Sequence, residues 1–83
     1  MTLQEEFQEA VNHTKELTQR PSNDVLLKLY ALYKQSTVGD VQGKLPDVMD
    51  FKAKAKYKAW ESLKGKPQNT CQREYIDLVN SLE

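Results

Sequence analysis

Eighty-three residues with 12 Lys+Arg against 12 Asp+Glu make a neutral chain just long enough for one core, so a single domain over 1–83 is expected. Zero net charge argues against general nucleic-acid binding, which needs a basic footprint, and the size leaves no room for a large catalytic cavity with its own lid. One cysteine, Cys71, excludes an internal disulfide and a cysteine-based zinc site.

Apolar runs stay short of membrane-spanning length, and residues 1–17 are too acidic and polar for a secretory signal. A cytoplasmic, monomeric protein without stable membrane insertion is the expectation. The charge is unevenly spread. Residues 1–17 carry Glu5, Glu6, Glu9 and Glu16 against Lys15, whereas residues 52–66 carry Lys52, Lys54, Lys56, Lys58, Lys64 and Lys66 against Glu61. A locally positive wall on a neutral protein suits one anionic ligand better than a long polyanion.

Proline and glycine divide the chain into four predicted helices. The first spans 3–17. Thr2 and Glu5 have capping-box spacing, and Leu3, Phe7, Ala10, Val11, Thr14 and Leu17 recur at helical period. The second spans 22–37, with Ser22, Asn23 or Asp24 as N-cap and Gly39 placed to stop it. At about 100° per residue, Val25, Leu26, Leu27, Leu29, Tyr30, Leu32, Tyr33 and Lys34 share one arc. That arc is wider than one helix contact requires, so one flank is expected in the core and the other open to a partner.

Residues 38–50, with Gly39, Gly43 and Pro46, read as a long loop of the kind that often carries function. The third helix spans 50–63 behind Asp50. Its alternating lysines and alanines mimic a strand, but both residues favour helix and no β-branched residue interrupts them. The fourth spans 67–82, with Pro67 at its first position and Cys71, Tyr75, Leu78, Val79 and Leu82 as its stripe. Four such helices make a small all-α bundle with short links and one longer crossover.

Chemistry concentrates on the second and third helices. In the third, Ala55, Ala59 and Leu63 mark the core direction, flanked by Phe51 and Trp60. Lys52 and Lys56 fall inside that arc, and Lys54 and Lys58 project away. Tyr30 and Lys34, four apart, share a face of the second helix. Two readings are open. The lysines snorkel, stems along the core and ammonium groups in water, or pair with a first-helix glutamate. Alternatively Lys34 and Lys56 converge on one anion, with the Tyr30 hydroxyl as a further donor to a phosphate.

Lys15, beside Val11, is a further candidate cation and otherwise a surface lysine. Tyr33 and Tyr75 offer faces that could stack a base, and otherwise belong to the core. His13 has no catalytic or metal-ligand spacing, Cys71 sits on a core stripe, and no phosphate-cradling glycine loop or nucleophile–base set is present. No metal, cofactor or enzymatic activity is expected.

The residues 7–11, FQEAV, followed by LYALYKQSTVGD at 29–40, MDFKAKAKYKAWESLKG at 49–65 and YIDLV at 75–79, are similar to the acyl-CoA-binding protein family over nearly the whole length. The resemblance implies a four-helix bundle, up-down-down-up, with a long crossover between helices two and three. It implies non-catalytic binding and transport of long-chain fatty acyl-CoA in the cytosol. Tyr30, Lys34 and Lys56 would hold the 3′-phosphate, Lys15 and Tyr75 would complete the headgroup site, and Tyr33 would lie against the adenine. The acyl chain would run beside Val11, Leu27 and Phe51.

Three departures stand out: Tyr57 where many members have tryptophan, Lys66-Pro67 in place of a Ser/Thr cap, and an end at Glu83 without a lysine-rich tail. A helical protein-interaction or signalling-peptide module with a vestigial site is the competing reading.

Overall fold

The computed structural model describes residues 1–43 and 50–82. Four helices follow one another: α1 (Leu3–Thr14), α2 (Asn23–Thr37), α3 (Phe51–Glu61) and α4 (Gln68–Ser81). They form an all-α bundle with up-down-down-up topology and a long crossover between α2 and α3. Pro46 of that crossover lies outside the described residues.

Each start has a local cause. The Glu5 backbone N–H donates to Thr2 Oγ1 at 3.1 Å while the Thr2 N–H donates to Glu5 Oε1 at 3.1 Å, the reciprocal box that the spacing predicts. Ser22 caps α2 by accepting the Val25 N–H at 3.3 Å, and Asp50 caps α3 by accepting the Ala53 N–H at 3.0 Å. Gly39 ends α2 as expected. The Val38 and Gly39 N–H groups both reach the Lys34 carbonyl, at 2.8 and 3.2 Å, and Gly39 takes φ +96°, a conformation that a Cβ disfavours.

Two ends differ from expectation. The first helix stops at Thr14 rather than Leu17, because Lys15 and Glu16 bond three residues back, to the Asn12 and His13 carbonyls, and tighten the last turn. Pro67 is the N-cap of α4, one position outside the helix, and provides no side-chain cap.

Phe7 and Ala10 of α1, Leu29 and Leu32 of α2, and Cys71, Tyr75 and Val79 of α4 form the buried core. The core therefore belongs to α1, α2 and α4. Among the described residues α3 packs on α2 and on no other helix, and none of its own residues is fully buried. With α4 and α3 on different sides, α2 uses the wide arc seen in its sequence. Among the described residues no helix is long and apolar enough to cross a membrane.

Two positions of α3 need correcting. Phe51, expected to flank the core, is 77% exposed. Lys52 is exposed but lies on the expected side of the helix, lining a hollow against α2 with Ala55 and Lys56. Lys54, expected in solvent, is half-buried. Gly43 lies on this side of α3: the Tyr57 hydroxyl, one turn on from Lys54, donates to its carbonyl at 3.0 Å.

Candidate functional site

A hollow of about 590 Å³ opens between α2 and α3. Tyr30 and Lys56 line one end of it, and Leu26, Leu27 and Ala55 give it an apolar floor. Both Tyr30 and Lys56 are half-buried, as is Lys34. The Lys56 ammonium lies 5.3 Å from the centre of the Tyr30 ring, and the Lys34 ammonium lies 5.9 Å from the same centre. One phenol ring thus gathers two cations from two helices, each attracted to its π-face.

Neither ammonium has a carboxylate partner among the described residues, where the ion pair is Lys66 with Glu74. Pairing of Lys34 with a first-helix glutamate is therefore not what the structure contains. Two like charges held near one ring repel each other, and a shared anion relieves that repulsion.

Lys34 has a second ring beneath it. The Trp60 ring centre is 5.7 Å from the Lys34 ammonium. Trp60 is held by its indole N–H, which donates to the Gly39 carbonyl at 2.8 Å and to Gln35 Oε1 at 3.2 Å. Gln35 is 1% exposed, and its amide donates onward to Asp40 Oδ1 at 2.8 Å and to the Lys66 carbonyl at 3.0 Å. Asp40 also accepts the Gly65 N–H at 2.7 Å. One buried amide therefore joins the end of α2, the start of the crossover, the last turn of α3 and the link into α4.

The Gly65 N–H and the Gln35 amide hold the Asp40 carboxyl below its ordinary value. A carboxyl lowered by folding adds stability above its unfolded pKa, and that stability disappears as pH falls through the lower folded value. Acid unfolding below about pH 4 is accordingly expected to be shallower in Asp40→Asn than in the parent, as circular dichroism along a pH titration would record.

The aromatic candidates lie on the other side of α2. Tyr33 is 39% exposed and stacks on Phe7, with centres 6.1 Å apart and planes at 20°. Tyr75 is 4% exposed, edge-on to Phe7 at 5.1 Å and tilted against Tyr33 at 6.5 Å. Packing closes its ring face to a base. Burial pushes the Tyr75 phenol pKa up, with the Thr14 side chain opposing.

Lys15 stands exposed at the C-cap of α1, next in sequence to Thr14. Val11 is half-buried against the core, Leu27 lines the hollow, and Phe51 stands exposed at the start of α3. Tyr30, Lys34, Lys56 and Leu27 thus come together, whereas Val11, Tyr33 and Tyr75 gather around Phe7 or the core.

Sequence reasoning missed Gln35, Asp40 and Arg20. Gln35 lies four residues after Ala31 and three after Leu32, on the same buried face, which was the available signal. Arg20 precedes Pro21 and joins the hollow from the α1–α2 link.

The sequence family described as acyl-CoA-binding protein matches residues 4–79. The chain is 46% identical over 80 residues to the acyl-CoA-binding protein homolog of Drosophila melanogaster, covering 96% of this chain and 93% of that one. It is 49% identical over 76 residues to the acyl-CoA-binding protein of Saccharomyces cerevisiae, covering 92% and 87%. Its backbone matches the crystal structure of Oryza sativa acyl-CoA-binding protein 2 with a TM-score of 0.92 at 40% identity, over 98% of this chain and 90% of that one. A matched family over almost all of the chain, and a fold shared with a solved member, carry one conclusion: this chain belongs to the acyl-CoA-binding protein family.

Proposed function

We propose that this protein is a monomeric cytoplasmic carrier of long-chain fatty acyl-CoA thioesters, a single module over 1–83 that binds its ligand and releases it unchanged. By its family it is a binding protein and not an enzyme. The observation that carries the proposal is the pair of ammonium groups, Lys34 and Lys56, gathered on the Tyr30 ring beside a hollow, with no carboxylate partner among the described residues.

In this reading Tyr30, Lys34 and Lys56 hold the 3′-phosphate through charge-assisted hydrogen bonds. Tyr33, partly exposed, lies against the adenine. Lys15 and the Tyr75 phenol edge complete the headgroup site. The acyl chain lies along the apolar floor at Leu27, between Val11 and Phe51, and contributes roughly 0.8 kcal/mol for each CH₂ removed from water. Free CoA lacks the tail and a free fatty acid lacks the phosphate, so each binds poorly. The bound thioester is kept from water and from membranes.

Calorimetric titration separates the phosphate from the tail. Palmitoyl-CoA is expected to bind tightly and its 3′-dephospho analogue at least tenfold more weakly. Equal affinities would remove the role given to Tyr30, Lys34 and Lys56. No binding of either would favour a protein-interaction module.

A further inference from the structure

The hollow between α2 and α3 has two cationic ends. Tyr30 and Lys56 mark one, which takes the headgroup phosphate in the proposed function; a role for the opposite end rests on that reading. Arg20 and Lys52 mark this second end. Between the two lie Leu26, Leu27 and Ala55. Tyr30 lies seven positions along α2 from Asn23, at the Arg20 end, which is about 10 Å of helix. That floor is shorter than an extended sixteen-carbon chain, so a ligand that folds back from a phosphate at the Tyr30 end and lays its chain on the floor passes the chain out at the mouth marked by Arg20 and Lys52.

That far end is built for a negative charge. The Arg20 guanidinium is steadied by donating to Asn23 Oδ1 at 3.1 Å, which leaves its other N–H groups available. Asn23 is the first residue of α2 and Lys52 the second of α3, so two helix N-termini, with their partial positive charges, lie at the same end. Among the described residues no carboxylate lines the hollow. Asp50 is turned to the Ala53 N–H as the α3 cap, and Asp24 lines a separate cleft with Lys28 and Ala31. The aliphatic stems of Arg20 and Lys52 can cover methylenes while their heads stay in water. An apolar groove closed by apolar residues would reject a chain ending in an anion, because the charge would lose its water. A groove with this mouth would not.

We propose that Arg20 and Lys52 form a tail-end anion subsite, and that the protein also takes acyl-CoA thioesters whose chain ends in a carboxylate, the class produced by oxidation of the terminal methyl of a fatty acid. The test compares palmitoyl-CoA with the mono-CoA thioester of hexadecanedioic acid, by calorimetry, on the parent protein and on Arg20→Gln, Lys52→Gln and Lys28→Gln. The parent is expected to bind the two thioesters within about threefold of each other. Arg20→Gln is expected to weaken the carboxylated ligand about tenfold and palmitoyl-CoA less than twofold. Lys52→Gln should act in the same sense, and Lys28→Gln should leave both unchanged.

Rejection of the carboxylated thioester by a parent that holds palmitoyl-CoA would overturn the subsite and leave the carrier function intact. Equal weakening of both ligands by Arg20→Gln would also overturn it, by assigning the guanidinium to the shared headgroup. Failure of the parent to bind either thioester would overturn both proposals. Far-UV circular dichroism of each variant establishes that the helices are retained, and Lys52→Gln carries the comparison if Arg20→Gln unfolds.

Discussion

Lys56→Ala is expected to weaken palmitoyl-CoA binding by about 100-fold, whereas Lys58→Ala, two residues away, changes it by less than twofold. The difference follows from where α3 points each side chain. Lys56 is half-buried over the Tyr30 ring, and Lys58 is exposed. A hydrogen bond to a charged group contributes about 1.5–3 kcal/mol, and each 1.4 kcal/mol is tenfold in affinity. Partial desolvation of Lys56 places it toward the upper end of that range. Lys34→Ala should behave like Lys56→Ala.

The double variant should lose less than the two single losses combined, because both ammonium groups serve one phosphate and residues sharing a partner are not additive. The salt dependence of binding should also fall in each single variant, since a charge that no longer meets the ligand is no longer screened. Isothermal titration at two ionic strengths measures both effects. A larger loss in Lys58→Ala than in Lys56→Ala would mean that the orientation of α3 is not the one described.

Gln35→Ala is expected to cost about 3 kcal/mol of stability, from lost buried hydrogen bonds together with a small cavity. For a chain of this length that is a fall of about 15 °C in Tm. The cost arises because Gln35, on α2, is the common partner of three other segments. Its loss removes one of two acceptors from the Trp60 indole, one of two donors from Asp40, and a donor from the Lys66 carbonyl. Lys28→Ala, on an exposed position of the same helix, should change Tm by no more than a degree or two. Thermal denaturation followed by circular dichroism compares the two.

The same variant should loosen Trp60 and with it the platform under Lys34. Its affinity for palmitoyl-CoA is expected to fall with its stability. Trp60 is the single tryptophan, so its fluorescence reports this corner without labelling.

How much of this was legible in the sequence depended on whether a feature is local. Helix starts are local. Thr2 with Glu5, Ser22 and Asp50 each place a side-chain oxygen where a backbone N–H needs one, and each cap forms. Gly39 is local too, since its positive φ ends α2 without reference to any other element. The approach of Lys34 and Lys56 to the Tyr30 ring is in keeping with helical spacing, because each lysine lies on the side of its helix that carries the apolar residues.

What spacing could not supply was which face is covered and by what. Phe51 looks like a core residue to periodicity and is exposed: among the described residues α3 packs on α2 and on no other helix, so one flank of α3 is left without a helix to cover it. Gln35 looks like a polar surface residue and is buried, because its partners are Asp40, Trp60 and the Lys66 carbonyl, all outside α2. Tyr75 offers a flat ring to any reader of the sequence, and only the packing of Phe7 and Tyr33 closes that face. Arg20 carries no helical phase, since it lies in a link, and its place at the hollow depends on the turn at Pro21.

A crystal structure of the protein with palmitoyl-CoA bound would bear most directly on the two-lysine site. The 3′-phosphate oxygens should lie within about 3 Å of the Tyr30 hydroxyl and of the Lys34 and Lys56 ammonium nitrogens. A complex with that phosphate in bulk solvent, and these three side chains unmoved and untouched, would contradict the account.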